Sequence, residues 1–419
     1  MFPVTVDRGL PRGWRLCVSR SHTRFHAVSS SFARNRPPGV PGLVWYNCSL
    51  AMKTCGLLAL ACALAVTAWP LAKKKKNQEE QTQTLQFPRE LPSALAVETR
   101  RLVFQVSPLS AKGLLTQQVR DALHTLAHSA GGTVVRLRAF VAGRGDVRRV
   151  RDLVSENFSD RRQPLPVLSV VQVGGLPLEG AQVVFESTAL SKKEVNAAGL
   201  AFISGQAATS EGPLDPVPPL AAKALDGLRQ SVRAAGARPE DVLRVTCFLS
   251  SLDNLAAVRE IFDREYPGAA RNYVQTQRAP ARAIAECEAV ARLSTPPAAP
   301  LELRNPAGTT PSPYYSQFAL VGAPQVVLSS MQAAFGFQEA DARLAFERLE
   351  KALEASGGSL KGAAFASFYP LSASIAAQVR KVRAEFFEPG RPPAVTMLPF
   401  EGLPSMDAGF AADVIVLKQ

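Results

Sequence analysis

Residues 220–291 read LAAKALDGLRQSVRAAGARPEDVLRVTCFLSSLDNLAAVREIFDREYPGAARNYVQTQRAPARAIAECEAVA. Leu220, Ala224, Leu225, Leu228 and Val232 recur at helical spacing, so one apolar face runs to about Ala235. Gly236 is a natural stop for that helix. Val242 to Ser250 alternates and is rich in β-branched residues, which predicts a strand. Leu255 to Tyr266 returns to helical spacing, and Arg271–Thr276 and Ala283–Ala291 predict two further strands. The order helix, strand, helix, strand, strand describes one small α+β unit.

The same order occurs on both sides of this stretch. Upstream, a helix from Leu114 to Ala130 stops at Gly131-Gly132 and is followed by a strand at Val134–Val141. A second helix follows at Val147–Phe158, and the last strands begin at Val167 and Gln182. Downstream, the helix is Glu339–Ala355 with its stop at Gly357-Gly358, and the strand is Ala363–Tyr369. The second helix is Ile375–Phe387, and the last strands begin at Ala394 and Ala411. A turn proline fixes the register. Leu168 to Pro177, Arg271 to Pro280 and Val395 to Pro404 are each nine apart, and two of the turns read Gly-Leu-Pro. An internal repeat of this length reads as a small unit used three times.

Charge and cysteine divide the chain differently. The net charge is +13. Residues 1–76 hold twelve basic residues and a single acid, so eleven of those charges lie there. The remaining chain is nearly neutral, which gives no electrostatic reason to bind nucleic acid. Cys17, Cys48, Cys55 and Cys62 lie in the leader, and only Cys247 and Cys287 lie in the body. Two cysteines in separate predicted strands make no disulfide framework, so both are expected as buried thiols.

Residues 54–69, TCGLLALACALAVTAW, form an uncharged apolar run that suits the core of a signal peptide and is short for a membrane span. Met52-Lys53 would then be the start, with cleavage after Ala68 and an exported product that keeps no stable membrane association. An uncleaved anchor, a lipoprotein signal at Cys62 and a cytoplasmic protein are the alternatives. Residues 73–97, with Lys73–Lys76 and a Gln-rich stretch, read as a solvated linker, and 296–309 as a linker between units. The domains expected are a leader at 1–72 and units at 98–190, 193–295 and 310–419.

The middle unit resembles the YjgF/RidA family of reactive-intermediate deaminases. The resemblance rests on Gly199-Leu-Ala-Phe-Ile-Ser-Gly-Gln206, on Val245–Asn254, and on Ala270–Val274 with Arg278-Ala-Pro280 and Glu286–Ala291. Ser312-Pro313-Tyr314 is similar to a segment of the family's first strand. The resemblance implies a chorismate-mutase-like α+β sandwich in each unit. It also implies that the three units close into an intramolecular pseudo-trimer, monomeric as a chain. The implied reaction is hydrolysis of 2-imino or enamino acids to 2-keto acids and ammonia, without cofactor or metal. Carried over by position, Arg271 holds the substrate carboxylate and Glu286 positions water, while Ser204 and Gly205 line the cleft. Tyr273 stands where the family often has cysteine and is a candidate binding residue. Tyr314 is the candidate contribution from a neighbouring unit.

The flanking units carry Leu168 and Val395 at the arginine position, and Val183-Val184 and Phe410-Ala411 near the glutamate position. Only the middle unit therefore keeps the pair. A noncatalytic protein that binds a small carboxylate or a partner in the same cleft is the competing reading. Family labels that mention RNA cleavage find no support in the near-neutral body. His124 and His128 lie four apart on one helix with no third ligand evident, and read as solvated. No Gly-x-Ser-x-Gly frame and no phosphate-cradling loop occurs.

Overall fold

The computed structural model describes residues 88–143 and 146–419, which belong to one compact unit. The expected leader, start codon and signal, and most of the expected 73–97 linker, lie outside the described residues. No helix among the described residues is long and apolar enough to cross a membrane.

The chain begins with β1 (Ala94–Glu98) and then runs β2 (Leu102–Val106), α1 (Leu115–Ser129), β3 (Gly132–Ala142), α2 (Arg149–Asp160), β4 (Val167–Val173) and β5 (Val183–Ser191). The next set is β6 (Leu200–Thr209), α3 (Val217–Ala234), β7 (Val242–Leu249), α4 (Leu255–Glu265), β8 (Ala270–Gln275) and β9 (Ile284–Arg292). Two strands, β10 (Leu301–Arg304) and β11 (Phe318–Val321), follow. The last set is β12 (Gln325–Ser329), β13 (Gln332–Phe335), α5 (Glu339–Glu354), β14 (Gly358–Phe368), α6 (Ala373–Arg383), β15 (Ala394–Met397) and β16 (Ala408–Lys418). The spacing and stop signals in the sequence thus place the main helices and strands to within a few residues. Gly131, Gly236 and Gly357, the three helix stops, have φ of 59°, 77° and 78°, a region where a side chain is strained.

Three sheets share one nucleus. Their orders contain β2-β5-β3-β4, β6-β9-β7-β8 and β12-β16-β14-β15. In each, the middle strand is parallel to one neighbour and antiparallel to the other. The register repeats as well. Glu186, Glu288 and Asp413 on the last strands face Arg138, Thr246 and Ser367 on the middle strands. Leu168, Arg271 and Val395 face Leu137, Val245 and Ala366.

Each sheet buries one face under its two helices. The α3 stripe shows the cause, since Leu220, Ala224, Leu225, Leu228 and Val232 are all buried against the second sheet. Each large apolar side chain removed from water in this way contributes roughly 1.5–3 kcal/mol. The opposite faces meet one another. One cluster takes Leu102, Phe202 and Ile415 from the three sheets, and another takes Phe140, Phe248 and Phe400. At one end, bridges Gln172↔Gly402 and Gly175↔Gln275, with Gln277 Nε2 donating to Phe400 O at 3.1 Å, tie the turn segments together.

An ionic layer lies where the three inner faces meet. Arg138 donates to Glu186 at 2.6 and 2.8 Å and also to Glu288, while Arg244 lies 3.3 Å from both carboxylates. Arg136 pairs with Asp413, which also accepts from Ser169 at 2.6 Å and Tyr369 at 2.8 Å. Burial pushes the Glu186 carboxyl up, but Arg138, Arg244 and hydrogen bonds from Thr246 and Asn272 outweigh it and hold the group well below its ordinary value. Three arginines against three acids leave the layer neutral, the condition for charges to persist in a core.

Two expectations are corrected. The linkers contribute strands: β1 lies at the end of the 73–97 segment and pairs with β12, and β10 lies in 296–309 and pairs with β11. Each is only four or five residues long, so its sheet membership depends on distant partners. Cys247 and Cys287 are joined in a disulfide instead of standing as free thiols. They face each other directly on β7 and β9 with Cα atoms 4.2 Å apart, a register that only the folded sheet provides.

Candidate functional site

β6 pairs regularly with β9 up to Ile203, and the register then shifts before Gln206. This bulge at Ser204-Gly205 turns the strand as it passes Glu286. A Cβ on Gly205 would stand 2.0 Å from Glu286 Oε1. Glycine is what lets the carboxyl lie over the strand. Ser204 takes no part in the cleft. It is fully buried, its Oγ donates to Ser316 O at 2.5 Å and accepts from the Val395 N–H at 2.8 Å. Both hydroxyl roles are consumed in tying β6 to β15 and to the segment before β11.

Glu286 faces a cleft of about 220 Å³ with Gly205 and Ala207 on one side and Val395 and Met397 of β15 on the other. Tyr314 and Tyr315 close one end, and Arg380 and Arg383 of α6 close another. Burial, with a smaller push from Glu288, raises the Glu286 carboxyl to about 8, against a backbone hydrogen bond from Met397 and the charge of Arg380. Arg383 is 4% exposed, and its Nη2 donates to Tyr314 O. Its guanidinium lies 5.9 Å from the Tyr314 ring centre and 5.2 Å from that of Phe368. Nη1 is buried without a hydrogen-bond partner, and Arg383 makes no ion pair among the described residues. Burial, and then Arg380, lower its pKa to about 10. The cleft therefore offers a cation without a counterion, beside an acid that is mostly neutral at pH 7. A small anion fits that need.

Of the residues expected at the site, Gly205, Glu286 and Tyr314 converge here. Arg271 and Tyr273 do not. Arg271 Nε lies 2.8 Å from Asp263 Oδ1, and its Nη1 donates to Tyr266 O at 2.8 Å and Pro267 O at 3.3 Å. It closes the C-terminal end of α4. Tyr273 packs under the helices against Phe262 and is 6% exposed. The geometry explains the separation. Arg271 is on β8 opposite Val245, and Glu286 is on β9 opposite Phe248, with β7 between them. Val245 belongs to the helix-side core and Phe248 to the inner one, so the two residues sit on opposite faces.

The same register shows how the junctions between sheets are furnished. Where β6 meets β15, Glu286 is present, but the position matching Arg271 is Val395. A second cleft, of about 520 Å³, pairs Met331 beside β12 with Leu168 of β4. Arg271 belongs to the remaining junction, where β8 approaches β2. The position matching Glu286 is Val184 in the sheet of β2 and Ala411 in the sheet of β12. No junction holds both members of the pair. The α6 arginines were missed in the sequence because Arg380, Lys381 and Arg383 at a helix C-terminus read as complements to the helix dipole. Nothing in sequence marks one of them as buried.

His124 and His128 touch through Nε2 atoms 3.0 Å apart on exposed helix. Among the described residues, no three His, Cys, Asp or Glu side chains are grouped to hold a metal ion.

Residues 184–295, from β5 through β9, match the family described as Endoribonuclease L-PSP. No curated protein matches the chain. Among solved structures, the YjgF gene product of E. coli is 29% identical and aligns over 84% of its own chain and 23% of this one, with a TM-score of 0.20. The Rid-family protein YyfB of Yersinia pestis is 29% identical over 83% of its chain and 24% of this one, with a TM-score of 0.20. A YjgF-family member from Neisseria meningitidis is 17% identical over 95% of its chain and 28% of this one, with a TM-score of 0.22.

Proposed function

We propose that the chain is an intramolecular trimer of YjgF/RidA-type units, and that it hydrolyses small 2-imino or enamino acids at the β6–β15 cleft. The family match over 184–295 and the repeated strand register support the first part. One observation carries the second: a buried arginine without a counterion and a carboxyl titrating near 8 face the same small cleft. Arg383, with Arg380 outside it, anchors the substrate carboxylate, replacing the role that the resemblance gives to Arg271. The aromatic wall of Tyr314 and Tyr315 covers the side chain.

At pH 7 about a tenth of Glu286 is ionised, the form that acts as base. Its carboxylate takes a proton from water as the water oxygen adds to the imine carbon. The resulting acid returns that proton to nitrogen, which gives a carbinolamine. Glu286 then takes the carbinolamine hydroxyl proton and delivers it to nitrogen as the C–N bond breaks and C=O forms, so ammonia leaves and a 2-keto acid remains. The imine carbon is already electrophilic, so placement of water and substrate supplies most of the rate.

The test is ammonia release by the full chain from imino acids generated in situ by an amino-acid oxidase, with Glu286→Gln and Arg383→Met beside the parent. Loss in both variants supports the reading, whereas equal background rates in all three sink it. The second reading, a noncatalytic receptor for a small carboxylate, is favoured by Val395, an aliphatic residue at the place of the strand arginine. In that case calorimetry would detect keto-acid binding that Arg383→Met abolishes, with no ammonia formed. Scattering that reports a compact monomer supports the intramolecular trimer, and an extended string of beads refutes it.

A further inference from the structure

Two of the three sheets are extended on the same side by a strand from elsewhere in the chain. β11 lies antiparallel on β6, and β1 lies antiparallel on β12. β2 holds the matching place in its own sheet. Leu102 faces Leu190 on the last strand, as Leu200 faces Arg292 and Val326 faces Leu417. Yet β2 is an edge, with no described strand on its outer side. The cause is in the sequence. β1 precedes β2, and β10 and β11 precede β12, whereas only residues 192–199 join β5 to β6. That short connection holds no strand to fill the third place.

The vacancy is visible in the burial. Phe202 and Leu328 are 1% and 0% exposed, but Phe104 at the matching position is only half-buried, as are Val103, Gln105 and Val106. A groove of about 530 Å³ runs along β2, with Leu243 and Gly268–Ala270 as its far wall. Gln105 Oε1 is buried there without a hydrogen-bond partner among the described residues. Leu102 O on the outer side is taken by Asn196 Nδ2 at 2.7 Å. By the alternation of an antiparallel ladder, the N–H and C=O of Phe104 and Val106 point the same way and have no partner among the described residues.

We propose that the β2 edge is a peptide-binding slot, which takes an extended, uncharged, apolar segment of four or five residues from a partner protein. The two filled slots define the chemistry. Their occupants, Phe318-Ala-Leu-Val321 and Ala94-Leu-Ala-Val97, alternate residues between the inner core and the helix side. The incoming segment lies antiparallel to β2, completes its ladder and covers Phe104. Five paired residues span about 17 Å, the length of β2. A second copy of the chain is a poor occupant, because its own β2 is recessed behind the same wall. The slot is independent of the reading of the β6–β15 cleft.

The probe is a fluorescein-labelled peptide of sequence SQFALVGA, residues 316–323, titrated with the full chain by anisotropy. Saturable binding is expected. N-methylation of alternate peptide nitrogens on one edge should abolish it, and methylation on the other edge should leave it unchanged. Val106→Pro removes only an outward N–H and should weaken binding by about tenfold or more. Absence of saturable binding, or equal loss from methylating either edge, overturns the proposal. Two other outcomes overturn the partner as occupant. Binding only after removal of residues 1–82 would place the chain's own amino-terminal part in the slot. A dimer that Val106→Pro dissociates would place a second copy there.

Discussion

Replacing Glu286 by glutamine keeps the shape of the side chain and removes its titration. Burial and Glu288 raise this carboxyl from 4.5 to about 8 in the folded chain. Between those values the unfolded chain carries a carboxylate here while the folded chain holds a neutral acid. The folded state therefore loses stability as pH rises through the window, and the loss is complete above about pH 8. Each pH unit inside the window costs about 1.4 kcal/mol. The loss reaches roughly 3 kcal/mol at pH 7 and roughly 5 kcal/mol above pH 8. Glutamine does not titrate, so Glu286→Gln should escape that loss. A cooperative unit of this size unfolds with an entropy of about 0.7 kcal/mol/K. Between pH 5 and 8 the Tm of the parent should fall by about 5 °C relative to the variant. Calorimetric melts of both proteins across that range measure it. The same variant should lose about 100-fold or more in ammonia release. Parallel Tm profiles would refute the buried-acid assignment, and a fully active variant would refute its role in the reaction.

Arg383→Met should raise KM for an imino acid by about tenfold or more, because the substrate carboxylate loses its charged partner. Arg271→Met should leave KM unchanged and cost less than about 1 kcal/mol, since its ion pair with Asp263 is partly exposed; steady-state kinetics and denaturant melts separate the two. Reducing the Cys247–Cys287 bridge, which closes 40 residues, should cost about 4 kcal/mol by loop entropy, read from urea unfolding with and without reductant. Arg138→Met leaves the buried Glu186 and Glu288 sharing Arg244 alone and should cost about 3–5 kcal/mol, read from the same melts.

The amino-acid sequence by itself determined the local elements and their order. Helical stripes such as Leu220–Val232, stops such as Gly236, and alternation in Val242–Ser250 are short-range signals, and the folded chain follows them within a few residues. The nine-residue spacing from Leu168, Arg271 and Val395 to a turn proline also held, because strand register carries the three positions to matching places. What only the tertiary structure decided was which residues meet. Arg271 and Glu286 lie 15 positions apart in one sheet, yet the pleat and the intervening β7 put them on opposite faces. Arg383 is 97 residues from Glu286 and lines the same cleft, because two different sheets close on each other there. The same closure moved β1 and β10–β11 into sheets that their position in the chain does not suggest, and left β2 without a neighbour. Periodicity fixes which face a side chain takes within its own element. Its partners across a junction depend on how whole sheets pack, and no local spacing encodes that.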